Sequence, residues 1–361
     1  MDEIKLHHVF TYRDMDRAFW AEHLEDWVPA QLVDAHVHIV DPQFRTEVVT
    51  EELRRSYWVM EVDEMMDAAT AERCFRTVFP GRKFSCVGFG YPSLGWDLEG
   101  ANRYVATEFA RRGWHALALL RPSWKPAQLA QALDQPGIIG VKPYYSLIGY
   151  DAQSRDKYLE ASIFDFLPHQ HLEVLDARRA WVTLHVPRAG RLGDPVNQRE
   201  VREIRRRYPH IQLVLAHLGR CYTRPHAEEG LLPLADDPGL FFDCSAVLNP
   251  EVYALALRHL GPERILFGTD NPILLMRGRQ TWAGRRYIQH TSHPFHFNTQ
   301  REPPAIEATY TLYMYEALKA LKDACRETGV GREGVERIFA RNAERLIALA
   351  QTQPHAKEKT S

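Results

Sequence analysis

Short apolar runs alternate with longer amphipathic segments along most of the chain. The runs are apolar at nearly every position rather than at every second one, which is typical of parallel strands covered on both faces. Stretches with helical periodicity separate them, for example residues 50–79, 98–112 and 197–207. This alternation predicts repeated βα units around a parallel sheet. The eight apolar runs are residues 32–39, 84–91, 115–120, 138–144, 181–186, 211–217, 240–244 and 265–268.

Eight βα units predict an α/β fold of the (β/α)8 TIM-barrel type, with a doubly wound open sheet as the alternative. The 361 residues exceed an average domain, but barrels of this class reach that size as one unit. We therefore expect an N-terminal extension over residues 1–30, a barrel domain over 31–350 and a frayed polar tail over 351–361. Trp20, Leu24 and Trp27 stand at helical spacing in the extension. They predict packing against the outside or bottom of the barrel, with a functional lid as the alternative.

Charge patterning gives no indication of a nucleic-acid or membrane partner. The formal net charge is −2, and the basic run Arg205-Arg206-Arg207 stands beside Glu200 and Glu203 in a helical pattern. Such a run is typical of a solvated helix face. We expect a small-molecule substrate, and the sequence leaves open whether the protein is a homo-oligomer.

The cysteines indicate a reducing compartment. There are five, which are widely scattered and form no CxxC pair. This pattern disfavours a disulfide framework and a structural zinc ribbon.

The first residues lack an apolar signal region, and no stretch approaches the ~20 apolar residues of a membrane span. We expect a soluble, cytoplasmic protein.

A pair of histidines ends the first predicted strand. His36 and His38 are two residues apart, so their side chains project to the same face of the strand. A lone His-x-His pair is weak evidence for a metal site, because histidines also occur in cores.

Further polar residues stand at the ends of later apolar runs, on the fourth, fifth, sixth and eighth predicted strands. Active sites of (β/α)8 barrels are built at the C-terminal ends of the strands. Burying several histidines and a carboxylate there is unfavourable unless a cation binds them. The pattern therefore predicts a metal site. The polar residues at these four strand ends are Lys142, His185, His217 and Asp270.

The order of these residues resembles the amidohydrolase superfamily. Four sequence segments are similar to those of its amidohydrolase-related branch, which includes aminocarboxymuconate semialdehyde decarboxylase-like enzymes. The resemblance spans about residues 31–350. The segments that carry it are Asp34-Ala35-His36-Val37-His38, Ala216-His217-Leu218-Gly219, Phe267-Gly268-Thr269-Asp270-Asn271-Pro272 and Ala340-Arg341-Asn342-Ala343-Glu344-Arg345-Leu346.

The resemblance implies one divalent ion, usually zinc, with Mn²⁺, Co²⁺ or Fe²⁺ also suited to the donors. It implies that His36, His38, His185 and Asp270 are the ligands. Lys142 could be carbamylated and bridge two metals, as in binuclear members, with His185 and His217 sharing the second ion. The alternative is an ordinary ammonium that pairs with a carboxylate or with substrate. For Asp243, on the seventh strand, the resemblance favours a structural or supporting role.

The resemblance also implies that His217 and Asp270 are catalytic. His217, if it is not itself a ligand, would hold or deprotonate a metal-activated water, and Asp270 would accept or return a proton. Hydrolysis of an amide, ester or lactone is the first hypothesis. Non-oxidative decarboxylation with the same ligands is the second, and a barrel without chemistry is the third.

Arginines near the predicted strand ends suggest a carboxylated substrate. Arg188 and Arg191 follow His185, and Arg220 follows His217. Arginine forks bind carboxylates well, so we predict that these arginines and Lys142 bind substrate. The segment between Asp270 and residue 305 is predicted to be a long loop that covers the substrate. His293 and His296 within it form a weaker candidate for a second metal pair.

Overall fold

The computed structural model describes residues 4–6, 9–56, 59–62, 65–149 and 159–352. Eight parallel strands follow one another around a single sheet in the order of the sequence. They are β3 (Gln31–His38), β4 (Lys83–Phe89), β5 (His115–Leu119), β6 (Ile138–Lys142), β7 (Trp181–Leu184), β8 (Gln212–Leu215), β9 (Phe241–Asp243) and β10 (Ile265–Leu266). Each coincides with a predicted apolar run.

The sheet closes into a barrel between its first and last strands. The Ala35 N–H donates to the Phe267 carbonyl at 2.8 Å, and the Asp270 N–H donates to the His36 carbonyl at 2.9 Å. A parallel bridge joins Val37 to Asn271. A doubly wound sheet would reverse its strand order and stay open, so the (β/α)8 prediction is confirmed.

Outer helices fill the connections, and local capping decides where they begin. The helix Leu98–Arg112 has the predicted bounds, because the Asp97 side chain caps its start and Gly113, at φ +69°, ends it. Residues 50–79 were predicted as one helical segment but form Glu51–Ser56, Val59–Val62 and Ala68–Val78. The third begins where the Asp67 carboxylate accepts from the Thr70 N–H. The other longer helices are Pro126–Leu133, His169–Ala177, Pro195–Arg207, Arg224–Gly230, Pro250–Leu260, Tyr313–Thr328 and Asn342–Gln351.

The extension lies against the outer helices of the barrel. It contains β1 (Ile4–Lys5), β2 (Thr11–Tyr12) and a helical segment over residues 14–24. Trp20 packs edge-on against Phe79, and Trp27 packs edge-on against Phe339. At the other end of the chain the last helix stops at Gln351, and residues 353–361 of the predicted tail lie outside the described residues.

The segment after Asp270 differs from the loop we predicted. It contains a hairpin of β11 (Gly278–Ala283) and β12 (Arg286–Thr291), which we call the roof hairpin. Buried and less buried positions alternate only over the first four residues of β11, and Gly284, at φ +57°, lies in the two-residue turn. β12 shows no such alternation, so this segment carries only a short period-two pattern from which a hairpin could be predicted.

All five cysteines are free and buried. Among the described residues, no helix combines the length and apolar character needed to cross a membrane.

Candidate metal centre

Three predicted ligands converge at the carboxyl end of the barrel. The Nε2 atoms of His36 and His38 each lie 3.3 Å from Oδ1 of Asp270. The histidines come from alternate positions of β3, and Asp270 follows β10, the strand that closes the barrel against β3. Asp270 adopts φ +54°, a conformation rare outside glycine that is held here by the hydrogen bond of its N–H to His36. The closure of the barrel therefore brings the three donors together.

Asp243 orients His36. Its Oδ2 lies 2.9 Å from Nδ1 of His36, and both side chains are fully buried. Burial works to raise the pKa of Asp243, but His36, His217 and Ser245 outweigh it and lower the pKa to about 2. The ionised carboxylate can only accept, so Nδ1 of His36 carries the proton and the lone pair of Nε2 faces Asp270. This is the supporting role that the resemblance favoured for Asp243.

Asp34 joins the two strands that carry the converging ligands. Its Oδ1 accepts from the N–H groups of His36 and Thr269, each at 3.0 Å, and its Oδ2 accepts from the Thr269 hydroxyl at 2.5 Å. Burial raises the pKa of Asp34 to about 7. We did not predict a role for this residue. Its only signal was a carboxylate within an otherwise apolar run.

His217 presents one nitrogen to the same site. Its Nδ1 lies 3.1 Å from the Ser245 carbonyl, which can only accept, so this nitrogen carries the proton and Nε2 is left as the base. Burial lowers the pKa of His217 to about 4, so the ring is neutral at pH 7. The backbone N–H of His217 donates to Oδ1 of Asp243 at 3.0 Å, and the His217 ring centroid lies 4.7 Å from that of His36. The His217 ring is therefore neutral and its Nε2 is unprotonated.

His185 and Lys142 lie in the wall of the same cavity. Within the described part of the chain, neither Nδ1 of His185 nor Nζ of Lys142 has a hydrogen-bond partner. Nζ of Lys142 lies 5.3 Å from the ring centre of Phe89 and 5.1 Å from that of Tyr144. Burial lowers the pKa of Lys142 to about 8 and that of His185 well below its usual value. These buried, unpaired donors indicate a site built for a bound group.

The cavity at the strand ends has a volume of about 120 Å³. We call it the strand-end cavity. This volume is close to that of an apolar protein cavity of about 150 Å³ known to accept benzene. The roof hairpin contributes to its wall, as expected for the predicted cover. Side chains that we had not singled out also line it, namely Tyr91, Tyr144, Tyr222, Gln280, Tyr287, Gln289 and Tyr313.

The three arginines predicted to bind substrate do not line the cavity. Arg220 donates to the carbonyls of Val186, Pro187 and Arg188. Arg188 pairs with Asp194 at 3.1 Å, and Arg191 donates to the Arg220 carbonyl. These guanidinium groups are occupied by the loops that carry them. Of the predicted substrate-binding residues, the structure brings only Lys142 to the cavity.

The weaker second histidine pair does not form a metal-binding group either. His296 lies beside Glu61 and the Arg55 carbonyl, and the His293 ring packs against Phe295. Neither belongs to a cluster of potential metal ligands among the described residues.

The converging residues fit a divalent cation. His36, His38 and Asp270 offer three ligand atoms within 4.8 Å of one another, all buried. Nε2 of His36 is buried and has no hydrogen-bond partner among the described residues. Imidazole and carboxylate donors without thiolates suit Zn²⁺, Mn²⁺, Co²⁺ or Fe²⁺. His36, His217 and Asp243 form a second cluster. In that cluster the Asp243 carboxylate is already hydrogen-bonded to both histidine residues, so it orients them instead of offering a free ligand atom.

Solved structures share this fold at low sequence identity. 5-Carboxyvanillate decarboxylase from Sphingomonas paucimobilis is 12% identical, with a TM-score of 0.54 over 89% of this chain and 99% of that one. 2,6-Dihydroxybenzoate decarboxylase from Rhizobium is 15% identical, with a TM-score of 0.51 over 89% and 99%. An amidohydrolase from Burkholderia multivorans with bound zinc is 12% identical, with a TM-score of 0.54 over 88% and 99%.

Comparison with sequences gives the family. A search of curated proteins finds no match. The family model described as amidohydrolase matches residues 33–349, which include the complete barrel sheet from β4 to β10, most of β3 and every predicted site residue. The chain therefore belongs to the amidohydrolase family and is an enzyme of that superfamily.

Proposed function

We propose that the enzyme is a metal-dependent hydrolase whose single divalent ion, zinc in our proposal, is held by His36, His38, His185 and Asp270. The observation that carries the proposal is the approach of two imidazole nitrogens to one buried carboxylate oxygen, each at 3.3 Å. His185 belongs to the proposed set because it lines the same cavity with an unpaired buried nitrogen. When bound, such an ion supplies a Lewis acid and activates a water molecule at neutral pH.

His217 and Asp270 are the proposed catalytic residues. The neutral His217 ring, with its proton held on Nδ1 by Ser245, offers Nε2 to take a proton from the attacking water. Burial works to raise the pKa of Asp270, but His217, His38 and His36 lower it below its usual value. Asp270 is therefore ionised at neutral pH, can accept the proton that His217 took from water, and can return it to the leaving group.

The cavity suits a small substrate with a ring and a carboxylate. Lys142 is a buried cation without a hydrogen-bonded anion, so a substrate carboxylate would complete its surroundings. Aromatic side chains such as Phe89 and Tyr144 surround its ammonium group and offer flat surfaces for a ring. We therefore propose a carboxylated cyclic or aromatic compound as the substrate class.

Non-oxidative decarboxylation is the second candidate, and the same observation at Lys142 favours it. A carboxylate held beside the metal ligands could leave as carbon dioxide. The carbon must then receive one proton from an acid, and His217 would supply it after Nε2 has taken up a proton from solvent. Hydrolysis and decarboxylation require the same ligands and differ in whether water enters the product.

Metal analysis tests the ligand set. Purified wild-type protein should hold about one equivalent of zinc or another divalent transition metal, measured by plasma mass spectrometry. His36→Ala and Asp270→Asn should hold less than a tenth of that. His169→Ala is the matched control, because His169 contacts Tyr208 and belongs neither to the cavity wall nor to a cluster of potential metal ligands among the described residues. Wild-type protein that contains almost no transition metal after reconstitution would contradict the proposal.

Product analysis separates the two reactions. The metal-loaded enzyme should be incubated in ¹⁸O-water with a panel of lactones, aryl esters and aromatic acids. Incorporation of ¹⁸O into the product supports the hydrolase. Release of carbon dioxide without ¹⁸O in the organic product would replace the hydrolase with the decarboxylase.

A further inference from the structure

Two glutamines face each other on the cavity side of the roof hairpin. Gln280 of β11 and Gln289 of β12 are direct cross-strand partners, and both line the strand-end cavity. Gln280 is 8% exposed, and its Oε1 is buried without a hydrogen-bond partner among the described residues. On the other face of the hairpin the polar side chains are paired, Arg279 with Glu302 and Thr281 with His290. The unsatisfied polar group is thus on the face that looks into the cavity.

A buried amide oxygen without a partner is costly. Burial removes the water that would otherwise bond to the oxygen. This costs about 1–3 kcal/mol unless a new hydrogen-bond partner replaces that water. The hairpin does not need glutamine here, because its strands pair through the backbone, and an apolar side chain would cover the cavity at lower cost. A ligand that hydrogen-bonds to the carboxamide would account for its position.

We propose that Gln280, together with Gln289, is a specificity-determining subsite that hydrogen-bonds a neutral hydroxyl substituent on the substrate. The proposal rests on the proposed function only in that substrate enters the strand-end cavity. A carboxamide can donate through its nitrogen or accept through its oxygen, and a hydroxyl group can match either role. Two adjacent carboxamides can therefore hold one hydroxyl from both sides.

The charges around the cavity favour a neutral group at this subsite. Among the described residues, the lysine and the carboxylate in the cavity wall are Lys142 and Asp270, and the wall contains no arginine or glutamate. Both belong to the strand-end side of the cavity, where Lys142 ends β6 and Asp270 follows β10. A second carboxylate placed against Gln280 would be buried without a cation, which is unfavourable. The enzyme should therefore prefer a hydroxylated monoanion to a dianion.

Calorimetric titration of the zinc-loaded enzyme tests the subsite with defined probes. The probes are benzoate, 3-hydroxybenzoate, 4-hydroxybenzoate and terephthalate. One of the two hydroxybenzoates should bind wild-type enzyme about tenfold more tightly than benzoate, the gain typical of one hydrogen bond to a buried group. Terephthalate should bind no more tightly than benzoate. Gln280→Met, which keeps length and removes polarity, should abolish the tenfold preference and leave benzoate affinity within about twofold.

The control is Thr281→Val, which alters the outer face of the same strand and should retain the preference. Equal binding of benzoate and both hydroxybenzoates by wild-type enzyme, or binding of none of them, would overturn the subsite. So would a preference that survives in Gln280→Met and in the Gln280→Met, Gln289→Met double variant. Failure of the proposed function would be distinct, because it would appear as the absence of stoichiometric zinc in the wild-type protein.

Discussion

The guanidinium group of Arg277 donates hydrogen bonds to both carboxylate oxygens of Asp16, across 261 positions of the sequence. Both side chains are buried, and Arg277 also donates to the carbonyls of Thr11 and Tyr310. Arg277 directly precedes the roof hairpin. The extension therefore fixes the base of the element that covers the strand-end cavity.

Replacement of Asp16 by Asn should destabilise the protein strongly. The Arg277 charge would stay buried without its carboxylate, and breaking a buried pair in this way costs about 3–5 kcal/mol. The free energy of unfolding in urea measures the loss. Asp14→Asn is the matched control, since Asp14 forms an exposed pair with Arg17 and should change the free energy by less than about 1 kcal/mol. Similar small effects in both variants would show that the extension does not brace the hairpin.

Replacement of Asp243 by Asn should weaken metal binding without removing any proposed ligand. The neutral amide no longer favours the proton on Nδ1 of His36, so Nε2 is a poorer and less well oriented donor. Loss of such a supporting carboxylate typically reduces metal affinity about 10–100-fold. Competition for zinc with a chromophoric chelator measures the change. Asp237→Asn removes a carboxylate that pairs with Arg205 outside the site and should leave zinc affinity unchanged.

Much of the site could be predicted because strand geometry constrains it. Alternate residues of a strand share a face, and parallel strands end at the same rim, so His36, His38 and Asp270 had to lie near one another once the barrel was recognised. The spacing along the chain carried this information without any knowledge of loop conformation.

The loops could not be predicted in the same way. Arg188, Arg191 and Arg220 follow the strand ends closely in sequence, yet all three adopt positive φ angles, between 55° and 64°. Their side chains turn to nearby carbonyls and carboxylates instead of the cavity. Proximity along the chain therefore indicated the correct rim of the barrel but not the direction of these side chains, which depends on local backbone conformation.

Replacement of His217 by Gln should separate catalysis from metal binding. If His217 acts as the base, the variant should retain its full metal content while kcat falls about 10²–10⁴-fold, the usual contribution of a general base. Plasma mass spectrometry and the turnover of the substrate identified by product analysis give the two readouts. His169→Gln should change neither. Loss of metal together with activity would instead identify His217 as a ligand.

Replacement of Lys142 by Met should raise KM for carboxylated substrates more than it lowers kcat. Methionine fills a similar volume against Phe89 and Tyr144 but removes the buried charge that would pair with the carboxylate. A charge-assisted hydrogen bond contributes about 1.5–3 kcal/mol, so KM should rise at least tenfold. Steady-state kinetics with the carboxylated substrate and its methyl ester measure this effect. An equal change in KM for both would contradict a direct role for Lys142 in carboxylate binding.

Glu302 should make the attachment of the roof hairpin depend on pH. Hydrogen bonds from Arg279 of β11 and from the Tyr310 hydroxyl lower the pKa of Glu302 to about 2. A carboxyl whose pKa is lower in the folded state stabilises the fold fully above its unfolded pKa of about 4.3, and loses that stabilisation as the pH falls toward 2. Glu302→Gln should therefore lower the free energy of unfolding at pH 7 by about 1 kcal/mol, a modest effect because the Arg279 side chain is half exposed.

The difference between wild type and Glu302→Gln should be smaller at pH 3.5, where part of the unfolded-state carboxylate is already protonated. Urea unfolding at both pH values measures it. Glu333→Gln, which removes an exposed pair with Arg337, should have a negligible effect at either pH. A difference that is constant between pH 7 and pH 3.5 would mean that Glu302 acts through packing rather than through its charge, and the hairpin would then be held without an acid-sensitive contact.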